Sequence, residues 1–114
     1  MDIGVVLYEL TEKGEYFQLS YFLGRASYTQ DMATRKLLSP GKLETIRFQR
    51  SRVFSKQLGK GSRLLVVLNV DKNPFAQINY GTGKDVSVET IKDAGEPLKI
   101  KWSTDSFIDI GISR

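Results

Sequence analysis

The run Ile3-Gly4-Val5-Val6-Leu7-Tyr8-Glu9-Leu10, followed by Thr11-Glu12-Lys13-Gly14 and then Glu15-Tyr16-Phe17-Gln18-Leu19-Ser20, decides how the rest of the chain is read. Residues 3–10 are apolar and β-branched, with Val5 and Leu7 on one side of an extended chain and Val6, Tyr8 and Leu10 on the other. That pattern predicts a strand buried on both faces. The polar tetrad ends it in a tight turn, and residues 15–20 return as the partner strand of a hairpin. Residues 21–26 continue as a further strand, bent at Gly24.

Working outward, Arg63-Leu64-Leu65-Val66-Val67-Leu68-Asn69-Val70 is the most apolar run and the best candidate for a central strand, being too short and too β-branched for a helix. Residues 27–36 are polar without alternation, which predicts an irregular loop with a helical turn near 32–36. Ser39-Pro40-Gly41 is a turn signal, because proline sets the first corner and glycine accepts the positive φ of the second. A strand over 43–48 and a short extended piece at Val53 and Phe54 follow, punctuated by Leu58-Gly59-Lys60-Gly61. Beyond residue 70 a long connection is broken by Pro74, Gly81 and Gly83. Residues 86–91 then read as a strand. Residues 98–102 alternate, with Leu98, Ile100 and Trp102 on one face and Lys99 and Lys101 on the other, and Ile108, Ile110 and Ile112 alternate in the closing stretch. The whole predicts one all-β domain spanning 1–114, with turns spaced as in a sandwich or jelly roll.

The composition, 114 residues with 40% hydrophobic and 26% charged, is that of a soluble globular domain. No apolar run of about 18 residues exists, so no bilayer span is predicted, and no targeting segment opens the chain. Composition leaves the compartment open. The chain has neither histidine nor cysteine. It cannot by itself supply a Ser-His-Asp triad, a Cys-His dyad, a disulfide or an ordinary zinc site, and neither a cofactor nor a metal is expected. The net charge is +4, with Lys42, Arg47, Arg50, Arg52, Lys56, Lys60 and Arg63 crowding the middle. With only Phe48 and Phe54 interleaved, that stretch reads as a solvated strand face and not as a nucleic-acid surface.

Gly81-Thr82-Gly83-Lys84 invites comparison with a phosphate cradle. A P-loop needs a glycine five residues before the Gly-Lys pair and a hydroxyl directly after it. Ile78 and Asp85 occupy those places, and an aspartate there would repel the phosphates. The stretch instead reads as a loop over the rim of the sandwich, with Pro74 stiffening its approach and Asn79 satisfying loop backbone groups. Tyr16, Tyr21, Tyr28, Tyr80 and Trp102 are candidates for stacking on sugars, although the register of Trp102 with Leu98 and Ile100 predicts that it is core. A glycosidase pair would have to come from Asp31, Asp71, Asp85, Asp93, Asp105 and Asp109, nearly all at turns where short acids bond the local backbone.

Three segments in the order described resemble the C-terminal β-sandwich domain of the Xaa-Pro dipeptidyl-peptidase, cocaine esterase and glutaryl cephalosporin acylase family of serine hydrolases. The first carries Asp2, Leu7, Gly14, Arg25, Ala26 and Ser27. The second carries Leu38, Ser39, Pro40 and Gly41, then Val53, Phe54, Gly61, Arg63 and Leu64, with Ser62 where the family usually has histidine. The third carries Asn73, Pro74, Phe75, Asn79, Gly81, Thr82 and Gly83, and the last strand follows Ser106. The resemblance implies a galactose-binding-domain-like jelly roll, lacking its first strands, that serves as a noncatalytic accessory domain. On this implication the nucleophile, acid and histidine lie in a preceding α/β-hydrolase domain, which this module packs against and whose substrate cleft it helps to wall. Arg25, Ser27, Pro40, Gly41, Phe54, Gly61, Arg63, Pro74, Phe75, Asn79 and Gly83 are then structural motif residues and none is catalytic. Missing first strands would leave an exposed edge and favour a homodimer. The alternative from another class is a carbohydrate-binding module.

Overall fold

A computed structural model describes residues 1–49, 52–71, 75 and 77–113. Its regular structure is all-β apart from two single-turn 3-10 helices at Ala26–Tyr28 and Ile91–Asp93. Strands β1 (Asp2–Leu10), β2 (Tyr16–Arg25) and β3 (Arg63–Val70) form one antiparallel sheet in the order β2-β1-β3. The expected hairpin is present. Thr11 N donates to Glu15 O at 2.9 Å and Gly14 N to Thr11 O at 3.0 Å, closing a polar turn in which Gly14 takes φ 85°.

The register explains the core. Ile3 faces Gly24 and Val70, Val5 faces Phe22 and Leu68, and Leu7 faces Ser20 and Val66. Alternation puts these residues on one side of the sheet, and Ile3 and Leu7 are both buried. Gly24 is where a third side chain has no room: a Cβ there would lie 2.5 Å from the Phe48 ring and 2.8 Å from Phe22. Phe22 and Phe48 meet at 4.7 Å between ring centroids, which brings the segment before residue 50 across this face.

Several expectations change. Residues 15–26 are not two strands but mainly one, and the irregularity falls at Leu19, skipped where Leu7 pairs with Ser20 and Tyr8 with Gln18. Gly24 stays in register and serves close packing instead of a bend. The helical turn expected near residues 32–36 forms earlier, at Ala26–Tyr28. Arg63–Val70 is a strand but lies at the sheet edge, while β1 takes the centre. Residues 43–48, 86–91, 98–102 and 107–112 enter no ladder with the three strands, and Trp102, expected in the core, is 48% exposed.

The chain is correspondingly extended. Its radius of gyration is 16.4 Å, against about 13 Å for a compact domain of this size. Its accessible surface is 9679 Å², whereas a folded monomer of its mass exposes about 6,300 Å², leaving roughly 3,400 Å² in excess.

Candidate functional site

Both ends of β1 carry a buried carboxylate, and each gathers residues distant in sequence. At the first end, Asp2 lies opposite Arg25 in the hairpin register. The guanidinium grips it with two bonds, Nε to Oδ1 at 3.0 Å and Nη2 to Oδ2 at 3.1 Å. Asn79 Nδ2 donates to the same Oδ1 at 2.8 Å, and Asn79 Oδ1 accepts from Gly81 N at 2.9 Å. Asp2 and Asn79 are both buried. The Met1 amine beside them has its pKa lowered by burial, partly opposed by Asp2 and Glu89.

Asn79 opens a loop that folds around two further acids. Glu89 accepts from Tyr80 N at 2.9 Å, from Thr82 N at 3.2 Å and from the Thr82 hydroxyl. Asp93 accepts from Thr90 N and from Thr90 Oγ1, both at 2.9 Å, and pairs with the Lys84 ammonium. Arg35 Nη2 reaches in from the 27–36 loop to the carbonyls of Gly83 at 2.9 Å and Lys84 at 2.6 Å. The lysine that suggested a phosphate cradle is thus engaged by an aspartate of its own loop, and Gly81 and Gly83, at φ 76° and 87°, serve turns.

The Lys84 contact, followed by the Thr90 amide and hydroxyl, pulls Asp93 from 3.8 down to about 2. A depressed carboxylate stabilises the loop above its ordinary pKa, and that contribution is lost as pH falls through the lowered value. Loop order between residues 84 and 93 should therefore hold at pH 4 and fail as pH approaches about 2. A carboxyl NMR titration of Asp93, read beside the Thr90 amide shift, checks this, and an Asp93 midpoint near 4 would contradict it.

At the other end of β1, Glu9 follows Ile3, Val5 and Leu7 on the same face and is 3% exposed. Gly59 N and Ser62 Oγ donate to its Oε1 at 2.9 and 2.7 Å, and Lys56 Nζ lies 3.4 Å from Oε2. The Gly59 amide, then the Ser62 hydroxyl, hold this carboxyl below its ordinary range. The Ser62 hydroxyl is thus committed as a donor to the Glu9 carboxylate. The cluster borders an open groove of about 970 Å³ lined also by Glu15, Tyr16, Phe17 and Lys60. Lys56 stands over the Phe17 ring at 5.1 Å, and Arg52 over Tyr21 at 4.5 Å.

Of the motif residues, the structure joins Arg25 and Asn79 through Asp2, and Gly83 to the same loop. Ser27 is half-buried and its carbonyl accepts from Lys36 N at 2.7 Å. Pro40 and Gly41 form a turn closed by Lys42 N to Ser39 O at 3.2 Å, with Gly41 at φ 78°. Gly61 turns at φ 75° beside Glu12, and Arg63 begins β3 opposite Leu10. Phe54 and Phe75 are exposed, and Pro74 lies outside the described residues. The sequence reading passed over Glu9, although its parity with Val5 and Leu7 marked it as inward. It read Lys56 only as one of a run of solvated basic residues, whereas the side chain pairs with Glu9, and it passed over Glu89, for which no local signal exists. Among the turn acids, Asp31 accepts from Ala33 N at 2.9 Å and Asp85 from Ser87 N at 2.9 Å, both local backbone bonds.

Among the described residues no group of three or more acidic, histidine or cysteine side chains could hold a metal ion, and no helix is long and apolar enough to cross a membrane. No known family model, curated protein or solved structure matches the chain.

Proposed function

We propose that this chain is a noncatalytic accessory module, of the galactose-binding-like jelly-roll type, that packs on the catalytic domain of an α/β-hydrolase acting on acyl bonds and helps shape its substrate cleft. The observation that carries this reading is the bare surface: roughly 3,400 Å² beyond what a self-sufficient monomer exposes. Much of it is apolar, including Tyr16, Tyr21 and Leu23 on one strand. The chemistry of the acids supports the same reading, since the buried Asp2 and Glu9 and the half-buried Glu89 and Asp93 are all engaged in holding backbone and cations of this chain.

The reading frame upstream of Met1 is the first test. A hydrolase domain with a Gly-x-Ser-x-x-Gly or Gly-x-Ser-x-Gly elbow is expected there, and a frame with neither sinks the proposal. Titrating this chain into that domain by calorimetry should then show binding and a changed KM for Xaa-Pro amides or esters, while the chain alone turns over neither.

One feature favours a second reading, as a carbohydrate-binding module. Tyr16 and Phe17, 65% and 53% exposed, stand on the Glu9 groove with polar groups beside them, an arrangement suited to stacking against a sugar ring. Retention on a polysaccharide affinity gel that is lost in Tyr16→Ala would establish this reading, and an accessory domain of a peptidase should show no retention.

A further inference from the structure

The composition of β3 conflicts with its place. Leu64, Val66 and Leu68 occupy one face and Leu65 and Val67 the other, so the strand is apolar on both sides, as interior strands are. Yet it is an edge. Its protections are few: Arg63 at its first position is the one charge, with no proline, lysine or acid within the strand and no bulge in its ladder with β1. The other edge differs, because Ser20 Oγ on β2 bonds the Arg52 carbonyl at 3.3 Å and the Arg52 and Lys56 side chains lie over β2 rings.

Which backbone groups of β3 point outward follows from one bond. Asp71 N donates to Asp2 O at 2.8 Å, so residue 71 faces β1. Alternation turns Asn69, Val67 and Leu65 inward as well and sends the N–H and C=O of Leu64, Val66, Leu68 and Val70 outward. An antiparallel copy bonds to that edge only if outward residues meet outward residues, which places the twofold axis on a residue and not between two. With the axis on Val67, Leu64 pairs with Val70 of the copy and Val66 with Leu68. That alignment also sets Arg63 opposite Asp71 of the copy, twice by symmetry. Moving the axis to Val66 sets Arg63 against Asn69 and loses both charge pairs.

We infer that β3 pairs antiparallel with β3 of a second copy of this chain, with the twofold axis at Val67, to make one continuous six-stranded sheet. The inference goes beyond the accessory-domain reading and does not depend on it. A standard interface buries about 800 Å² on each partner, so the surplus surface covers such a dimer and leaves more than half for another domain.

The test uses the absence of cysteine. Val67 and its copy form a non-hydrogen-bonded pair with Cα atoms about 4.5 Å apart, within disulfide range. Val67→Cys should cross-link to a covalent dimer under mild oxidation with unchanged far-UV circular dichroism. Leu65→Cys and Asn69→Cys, which do not meet their own copies, should cross-link far more slowly. Ultracentrifugation of the unmodified chain should give a dimer, and Arg63→Asp should raise its Kd by roughly a hundredfold, because two opposite-charge contacts become like-charge ones. Adding Asp71→Arg should restore the dimer, a rescue that misfolding cannot produce. A chain that sediments as a monomer at all concentrations overturns the inference. So does fastest cross-linking at any of these positions other than 67.

Discussion

Replacing Ile3 by alanine is expected to destabilise the fold by about 3 kcal/mol and to lower the unfolding midpoint by roughly 10–15 °C. Ile3 is the largest fully buried side chain, 1% exposed on the central strand. Its cross-strand neighbours explain why the loss should stand near the middle of the usual range. On one side is Gly24, which has no side chain to lean into the space, and the Phe22 and Phe48 rings above it are already in contact. On the other is Val70, whose branched side chain is stiff at χ1. The hole therefore stays open. With Leu7, Ala26 and Val86 the other buried apolar residues among those described, one deletion removes a large part of the core. Ile3→Val, which trims a single methylene, should cost only about 1 kcal/mol. Urea unfolding with an unchanged m-value would measure both, and a loss below about 1 kcal/mol for the alanine variant would place the stabilising core elsewhere.

The hairpin was legible because every local cue agreed: β-branched residues through 3–10, a polar turn with a glycine able to take positive φ, and an aromatic return strand. Nothing outside those residues was needed to read it. Arg63–Val70 was legible as a strand but not as an edge, since composition records how much burial a strand suits and not which neighbour is present. Residues 86–91 show the opposite failure. Their apolar and polar residues alternate, yet Asp85 bonds Ser87 N and Asp93 bonds Thr90 N. Short acids that satisfy nearby amides offer the backbone an alternative to a ladder, and here the alternative wins. Residues 98–102 alternate cleanly, yet Leu98 and Trp102 remain about half exposed. Alternation states a preference for facing a layer, and only a neighbouring strand turns it into sheet.

The two carboxylate clusters divide in the same way. Asp2 against Arg25 is a hairpin pair, but the register at the turn would set Asp2 opposite Gly24, and only the extra residue at Leu19 brings Arg25 to it. Asn79 joins them from 77 residues away, and no spacing rule predicts that meeting. Glu9 is intermediate: its inward parity was written in the strand, whereas Gly59, Ser62 and Lys56 come to it through the path of a loop.

Asp2→Ala is expected to destabilise by about 3 kcal/mol, the usual result of removing one member of a largely buried ion pair. Two losses combine. The Arg25 side chain, 32% exposed, loses both charged bonds but can turn toward water. Asn79 cannot, being buried at the root of its loop, and an orphaned buried amide costs about 1–3 kcal/mol. Asn79→Leu alone should also destabilise, but the double variant should be less damaged than the sum of the singles, because the orphaned amide is then gone; a coupling of about 1 kcal/mol or more is expected. Asp2→Asn is the more discriminating replacement. It keeps the size but must present an NH2 group to the guanidinium in either orientation, and in one of them to the Asn79 amide as well, all of them donors, so it should recover little of the loss. Hydrogen exchange should show the Gly81 amide, held by Asn79 Oδ1, losing protection in Asp2→Ala, as should the Tyr80 and Thr82 amides held by Glu89. Strict additivity in the cycle, with those amides still protected, would mean that the loop is held by Glu89 and Asp93 alone and that Asp2 merely closes the end of the hairpin.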